Sequence, residues 1–383
     1  SGGNGGNITI NGSNGNVDIN AIISAPADDQ GDGGTISIET RDLAVTDKAI
    51  FTAVGGLQSG NGGSISIDCE TLSDDGMQLL AGARGMGDGG TIDFNINGTD
   101  DTILGDETTI NVVGGESGGA AGTLNLNLGG PFTLPENAAL LANGRGTTNS
   151  DAGTINIDCQ GMFTFRGNIA ANSQAPGNLG GNITINTPSL EFIDGQLRAN
   201  GDVGSISIIG NAPGDFIFTK ESSDPAKGVI AANNSAEGTV ALVESQSQST
   251  TSEIKFYNPD RDVIIRRDVT IRLNGTGNDS NAGHVEISGA TIFAEGKIIA
   301  NGTGTGMGGN IEITGNIEIR IDKTTTEFTA NGGARGNGGK IVLISSQNID
   351  LADIDYVMFS ARGFDSAEGG RIEISNANAN GLN

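Results

Sequence analysis

Along the whole chain, two glycines or a glycine and a small neighbour precede a short run in which apolar and small polar residues alternate. The stretches "GDGGTISIE" at Gly31, "GNGGSISID" at Gly60, "GDGGTIDFN" at Gly87, "LGGNITIN" at Leu179, "MGGNIEIT" at Met307, "NGGKIVLI" at Asn337 and "EGGRIEIS" at Glu368 are versions of one phrase. Its last glycine marks thirteen positions, from Gly6, Gly34, Gly63 and Gly90 through Gly238 and Gly283 to Gly370, about 30 residues apart on average. The second and fourth residues after each marker are apolar, as in Ile36/Ile38, Ile65/Ile67, Leu124/Leu126, Ile183/Ile185, Val240/Leu242, Val285/Ile287 and Ile341/Leu343. Alternation with period two predicts a strand with one buried face, and the β-branched residues suit it.

Each repeat carries a second apolar segment, such as "LEF" at Leu190 or "TIFAEG" at Thr291. A third ends in a turn: "LLANG" at Leu140, "LRANG" at Leu197, "IIANG" at Ile298, "FTANG" at Phe328. Three short strands per repeat, with no helical periodicity, predict an all-β chain folded as a parallel β-helix, or β-solenoid, of about 13 coils. A single coil cannot bury its inner face, whereas stacked coils about 4.8 Å apart can. Residues 1–383 therefore read as one solenoid domain. The 45-residue interval before Gly283 predicts an irregular long coil or insertion at about 243–275. The glycines are expected at corners that need positive φ or close approach of two backbones.

The third segment is followed in seven successive repeats by asparagine: Asn143, Asn172, Asn200, Asn233, Asn274, Asn301 and Asn331. Asparagine tolerates the left-handed conformation of a tight turn, and its side chain can bond to its counterpart one coil away. A stacked asparagine ladder is expected. Cys69 and Cys159 follow "ID" in the same phrase, three coils apart or roughly 14 Å. A disulfide needs Cα atoms within about 7 Å, so two separate buried thiols are expected.

Composition narrows the class. Glycine supplies 64 of 383 residues without a Gly-X-Y period, which excludes collagen. The formal charge of −26 disfavours nucleic acid and anionic membrane as partners of the whole surface. No apolar run has the length of a membrane-spanning helix. A chain that opens at Ser1 reads as a mature or trimmed product.

Phrases such as "GNGGSISID", "GGNITINTPSLEFIDGQLRANG" and "KIIANGTGTGMGGNIEIT" resemble the repeat region of filamentous haemagglutinin-type exoproteins of the two-partner secretion pathway, the cyanobacterial ones especially. The similarity covers nearly the whole chain. It implies a right-handed β-helix, secreted across a Gram-negative outer membrane and placed outside the cell or on its surface as an adhesin or fibre. The secretion domain of that family is not recognisable in these residues.

Parallel β-helices also carry polysaccharide lyases and hydrolases, which need clustered carboxylates and commonly add aromatic platforms. This chain has no Trp, two Tyr and one His. His284 directly follows a marker glycine and reads as a surface strand residue. Asp68 and Asp158, three coils apart, are too distant to work on one bond. No catalytic residue, cofactor or resident metal is assigned. The acidic turns "ADDQGDGG", "LSDDGM" and "NGTDD" offer carboxylates to Ca²⁺ but lack the spacing of known calcium loops, so they read first as solvated loops. The small polar residues between the Ile pairs form a flat outward row, read as an ordinary exposed strand face rather than an ice-binding one.

Lys255, Arg261, Arg266, Arg267 and Arg272 place five of the 20 basic residues within 18 positions. They are either partners of Asp260, Asp262 and Asp268 or a basic patch for an acidic subunit surface or anionic polysaccharide. Two function classes follow. One is a secreted structural solenoid that builds a surface fibre by head-to-tail stacking, since neither terminal stretch reads as a cap. The other is a monomeric adhesin module that binds carbohydrate or a host surface.

Overall fold

The structure is a computed structural model that describes residues 2–377, except 147, 174–176, 213, 220, 222–228, 232–251, 268, 276–278, 322–325 and 352–356. It is all-β, without a helix among the described residues, and its parallel strands stack as a β-solenoid of about 11 turns. The chain divides into two compact units, Ser1–Pro188 with Gly195–Ala199, and Ser189–Asp194 with Asn200–Asn383.

In the first unit a typical coil is Ser64–Cys69, Thr71–Asp74 and Gln78–Leu80. Ser64–Cys69 lies residue for residue against Thr91–Ile96, which in turn meets Thr123–Leu128 and then Thr154–Cys159. The alternation read from the sequence sets which residues point inward: Ile65, Ile67, Ile92, Phe94, Leu124, Leu126, Ile155 and Ile157 are buried. Each such side chain contributes about 1.5–3 kcal/mol relative to exposure. Phe132 and Phe163 extend the core along the second strands, with ring centroids 5.5 Å apart. Leu79, Ile110, Leu140 and Ile169 fill it from the third. In Thr35–Val45 the first and second strands run on without a break.

In the second unit the same three-strand coil recurs as Glu253–Asn258, Val263–Ile265 and Thr270–Arg272. Phe218 stacks on Phe256 at 4.7 Å and packs against Phe192 at 5.8 Å. Here the phase read from the sequence needs correction. Ser205–Gly210 pairs directly with Glu253–Asn258, which pairs directly with His284–Ala294. Gly238, Val240 and Leu242 lie outside the described residues. Ser252 takes the place of the marker glycine: its carbonyl accepts the His284 N–H at 2.9 Å, as Gly34 O accepts Ser64 N–H at 3.0 Å. The described residues of 253–275 thus carry the three strands of a regular coil. Ser252 replaces Gly238 as the marker rather than removing one, so thirteen first strands stand among the described residues and the expected coil count roughly holds; 232–251 lie outside them.

The corner glycines meet one of the two needs expected of them. Among the described markers none has positive φ. Close approach is the reason: a Cβ on Gly34 would overlap Gly6 O of the coil before, and one on Gly33 would overlap Ala53 O of the coil after. The same two-sided contact recurs at Gly62/Gly63, Gly89/Gly90, Gly308/Gly309 and Gly338/Gly339. The marker N–H also closes its own coil. Gly34 donates to Ala25 O at 2.7 Å, Gly63 to Ala53 O at 2.6 Å and Gly339 to Ala330 O at 2.7 Å.

Candidate interaction surfaces

The corner asparagines bond from coil to coil. In the first unit Asn172 N–H donates to Asn143 Oδ1 at 2.8 Å. In the second, Asn301 N–H donates to Asn274 Oδ1 at 2.9 Å, and Asn331 N–H to Asn301 Oδ1 at 2.8 Å. Arg362 N–H continues the row onto Asn331 Oδ1 at 2.9 Å. The acceptor is the side-chain oxygen and the donor is the backbone, so each asparagine satisfies an amide that the corner leaves without a strand partner. None of these asparagines has positive φ, which removes left-handed geometry as the reason for the residue. Asn200 belongs to the second unit, and Asn233 lies outside the described residues.

A second row of the same kind lies two residues before the marker. Asn4 Oδ1 accepts Asp32 N–H at 3.0 Å, Asp32 Oδ1 accepts Asn61 N–H at 2.7 Å, Asn61 Oδ1 accepts Asp88 N–H at 2.9 Å, and Asp88 Oδ1 accepts Ala120 N–H at 2.8 Å. Asp151, Asn281 and Asn337 repeat the arrangement. The signal was available in the sequence, as the Asn or Asp of "GNGG" and "GDGG". Several acidic turns considered for Ca²⁺ thus have a structural task. Asp74 accepts from Gly76 N–H and Met77 N–H, each at 2.9 Å, from Gly105 N–H at 2.9 Å and from the Thr108 hydroxyl. Arg84 runs across coils, donating to Gly55 O at 2.8 Å and Ala27 O at 2.7 Å.

The five basic residues belong to one coil but not to one face. Lys255 points outward from the first strand, Arg261 sits in the corner after it, Arg266 and Arg267 in the next corner, and Arg272 on the third strand. Lys255 pairs with Glu286 at 2.8 Å, and that hydrogen bond holds its ammonium above the ordinary lysine range. Arg266 approaches Glu295 at 3.8 Å, while Arg267 uses its backbone N–H on the same carboxylate at 3.3 Å. The ion pairs of this coil therefore run to the following coil rather than to Asp260 or Asp262; Asp268 lies outside the described residues.

Cys69 and Cys159 are free and buried. They share one register position through Ile96 and Leu128, three coils apart. Asp68 and Asp158 share the neighbouring position through Asn95 and Asn127, at the same separation. A shallow depression near Asp158 is lined by Ile96, Asn97, Asn127, Leu128, Gly129 and Gln160, with one carboxylate and no aromatic ring. Tyr257 is exposed beside Lys255, and Tyr356 lies outside the described residues. No family model, curated protein or solved structure matches the chain.

Two predictions follow from these rows and thiols. Replacing Asn301 by Ala strands the Asn331 amide and should lower stability by about 1–3 kcal/mol in denaturant unfolding, whereas Asn301→Asp keeps the acceptor and recovers most of it. Burial, with smaller repulsion from Asp68 and Asp42, pushes the Cys69 thiol from 9.0 up to about 12. The unfolded thiol ionises first, so the stability held in the neutral thiol is complete below about pH 9 and is lost as pH rises toward 12. Stability measured across that range should fall more steeply in the native chain than in Cys69→Ala.

Proposed function

We propose that the chain is a structural β-solenoid of an extracellular or cell-surface fibre, in which copies stack end to end. The observation that carries this reading is a pair of glycines. At the inner corners that carry two glycines, such as Gly33/Gly34, Gly62/Gly63 and Gly338/Gly339, the coils before and after leave no room for a Cβ on either. At Gly6 in the first coil of one unit, and at Gly369 in the last coil of the other, nothing lies within 4 Å of where a Cβ would stand. Gly6 nonetheless keeps the marker glycine, and Gly369 keeps the first glycine found at Gly33, Gly62, Gly89, Gly308 and Gly338, where alanine stands instead at Ala121, Ala152 and Ala282.

The apolar pairs of these coils support the same reading. Ile372 and Ile374 are 45% and 43% exposed, although their counterparts Ile341 and Leu343 are fully buried. Ile8 and Ile10 are likewise only half-buried. Because the two outer coils carry versions of one phrase, stacking them would pair strands as inner coils pair, and a head-to-tail contact of this kind propagates rather than closes. Resemblance to haemagglutinin-type exoproteins supports secretion from a Gram-negative cell. The separation of Asp68 from Asp158 and the lining of the shallow depression near Asp158, with one carboxylate and no aromatic ring, favour a structural role over a polysaccharide lyase or hydrolase.

Negative-stain microscopy and sedimentation across a concentration series test the proposal. Unbranched filaments one solenoid wide are expected at high concentration. The double variant Ile372→Asp, Ile374→Asp alters only partly exposed side chains and should remain folded while losing the filaments. Isolated particles of the native chain at every concentration would overturn self-assembly and favour the monomeric adhesin module.

A further inference from the structure

The corrected phase of the second unit brings Glu253 to two side chains about 30 residues further along the chain. Glu253 and His284 are register partners on adjacent coils, and Glu286 stands two residues beyond His284 on the same outward side. One ligand atom from each lies within 4.8 Å of the other two, and all three residues are half-buried. His284 Nδ1 is buried and has no hydrogen-bond partner, one of three such side-chain atoms among the described residues. A desolvated nitrogen left in this way costs free energy unless something binds it.

We propose that Glu253, His284 and Glu286 form a binding site for a divalent transition-metal ion of the zinc class. Imidazole nitrogen with two carboxylate oxygens suits Zn²⁺, while Ca²⁺ and Mg²⁺ take oxygen ligands. Zinc at about 2.0–2.2 Å from each donor would hold the donors roughly 3.3–3.5 Å apart, so the side chains have to close by no more than about 1.5 Å. A fourth position stays open to water. The charged neighbours of the site are Lys255, which pairs with Glu286 at 2.8 Å, and Glu312, in register with Glu286 on the next coil; Asn310 stands in register with His284. Lys255 is the local competitor for the ion, and Glu312 adds attraction. Because Glu253 belongs to one coil and the other two ligands to the next, the bound ion ties coils together.

This site is independent of end-to-end stacking and is tested on the untagged full chain with Zn²⁺ alone. Calorimetry should show one ion bound per chain, with thermal unfolding shifted upward as Zn²⁺ is added. His284→Asn should fold, since Asn310 fills the same position one coil on, and should weaken binding by at least tenfold. Removing the competing cation in Lys255→Met should tighten it several-fold. His284 is the single histidine of the chain, so carbethoxylation of imidazole reports on it alone and should be blocked by Zn²⁺. Absence of binding, equal affinity in the native chain and His284→Asn, or unprotected carbethoxylation would each overturn the site and leave only diffuse attraction of cations to an acidic surface.

Discussion

Every other feature of this protein depends on how closely the backbones of successive coils approach at the glycine corner. There the chain turns from the third strand of one coil into the first strand of the next, and the marker amide closes the coil onto the carbonyl that follows the third strand, most often an alanine's. Where the corner carries two glycines, each gives up its side chain to a different neighbour, the first to the coil ahead and the second to the coil behind. With that contact fixed, first strands fall into register and the inward Ile, Leu and Phe residues stack in rows. The buried apolar area supplies the free energy of folding, while the corner decides that only one stacking is available to it.

Polar groups at the corners are handled by the same repetition. A turn between short strands leaves amides with no partner in a sheet, and burying them unpaired would cost about 1–3 kcal/mol each. Two rows of Asn and Asp oxygens take up these amides coil after coil, so the −26 charge is partly a consequence of construction. This separates carboxylates that hold the backbone, such as Asp32, Asp74 and Asp88, from those free to act on something outside the chain. Glu253 and Glu286 lie on a flat strand face rather than at a corner, which sets them apart from the acidic turns.

The strand phase and inner residues were legible in the sequence because period-two alternation survives in nearly every repeat, and Ile36, Ile65 or Val285 could be placed without coordinates. The asparagine positions were legible too, but their chemistry was not: Asn301 suggests a left-handed turn, whereas its side chain serves as an acceptor in ordinary backbone geometry. Glycine was ambiguous for the same reason, since close approach and positive φ call for one residue. The slip near Gly238 has a simple origin. "GTVAL" imitates the phrase, while the coil that pairs begins at "SEIKF", where Ile254 and Phe256 keep the alternation but Ser252 stands in for the marker glycine. That slip hid the contact between Glu253 and His284, which depends on where the first strand of that coil begins.

The most direct test of the corner as the governing constraint compares one substitution at equivalent glycines. Alanine at Gly63 or Gly122 would meet the carbonyl of the preceding coil, whereas alanine at Gly6 or Gly369 would meet nothing within 4 Å. Denaturant unfolding of dilute, unassembled protein should show Gly63→Ala and Gly122→Ala losing several kcal/mol, beyond the ~1 kcal/mol scale of glycine's backbone entropy, or failing to fold. Gly6→Ala and Gly369→Ala should match the native chain within about 0.5 kcal/mol. Equal losses at all four positions would mean that the glycines serve local turn geometry, and would contradict the account given for the stack.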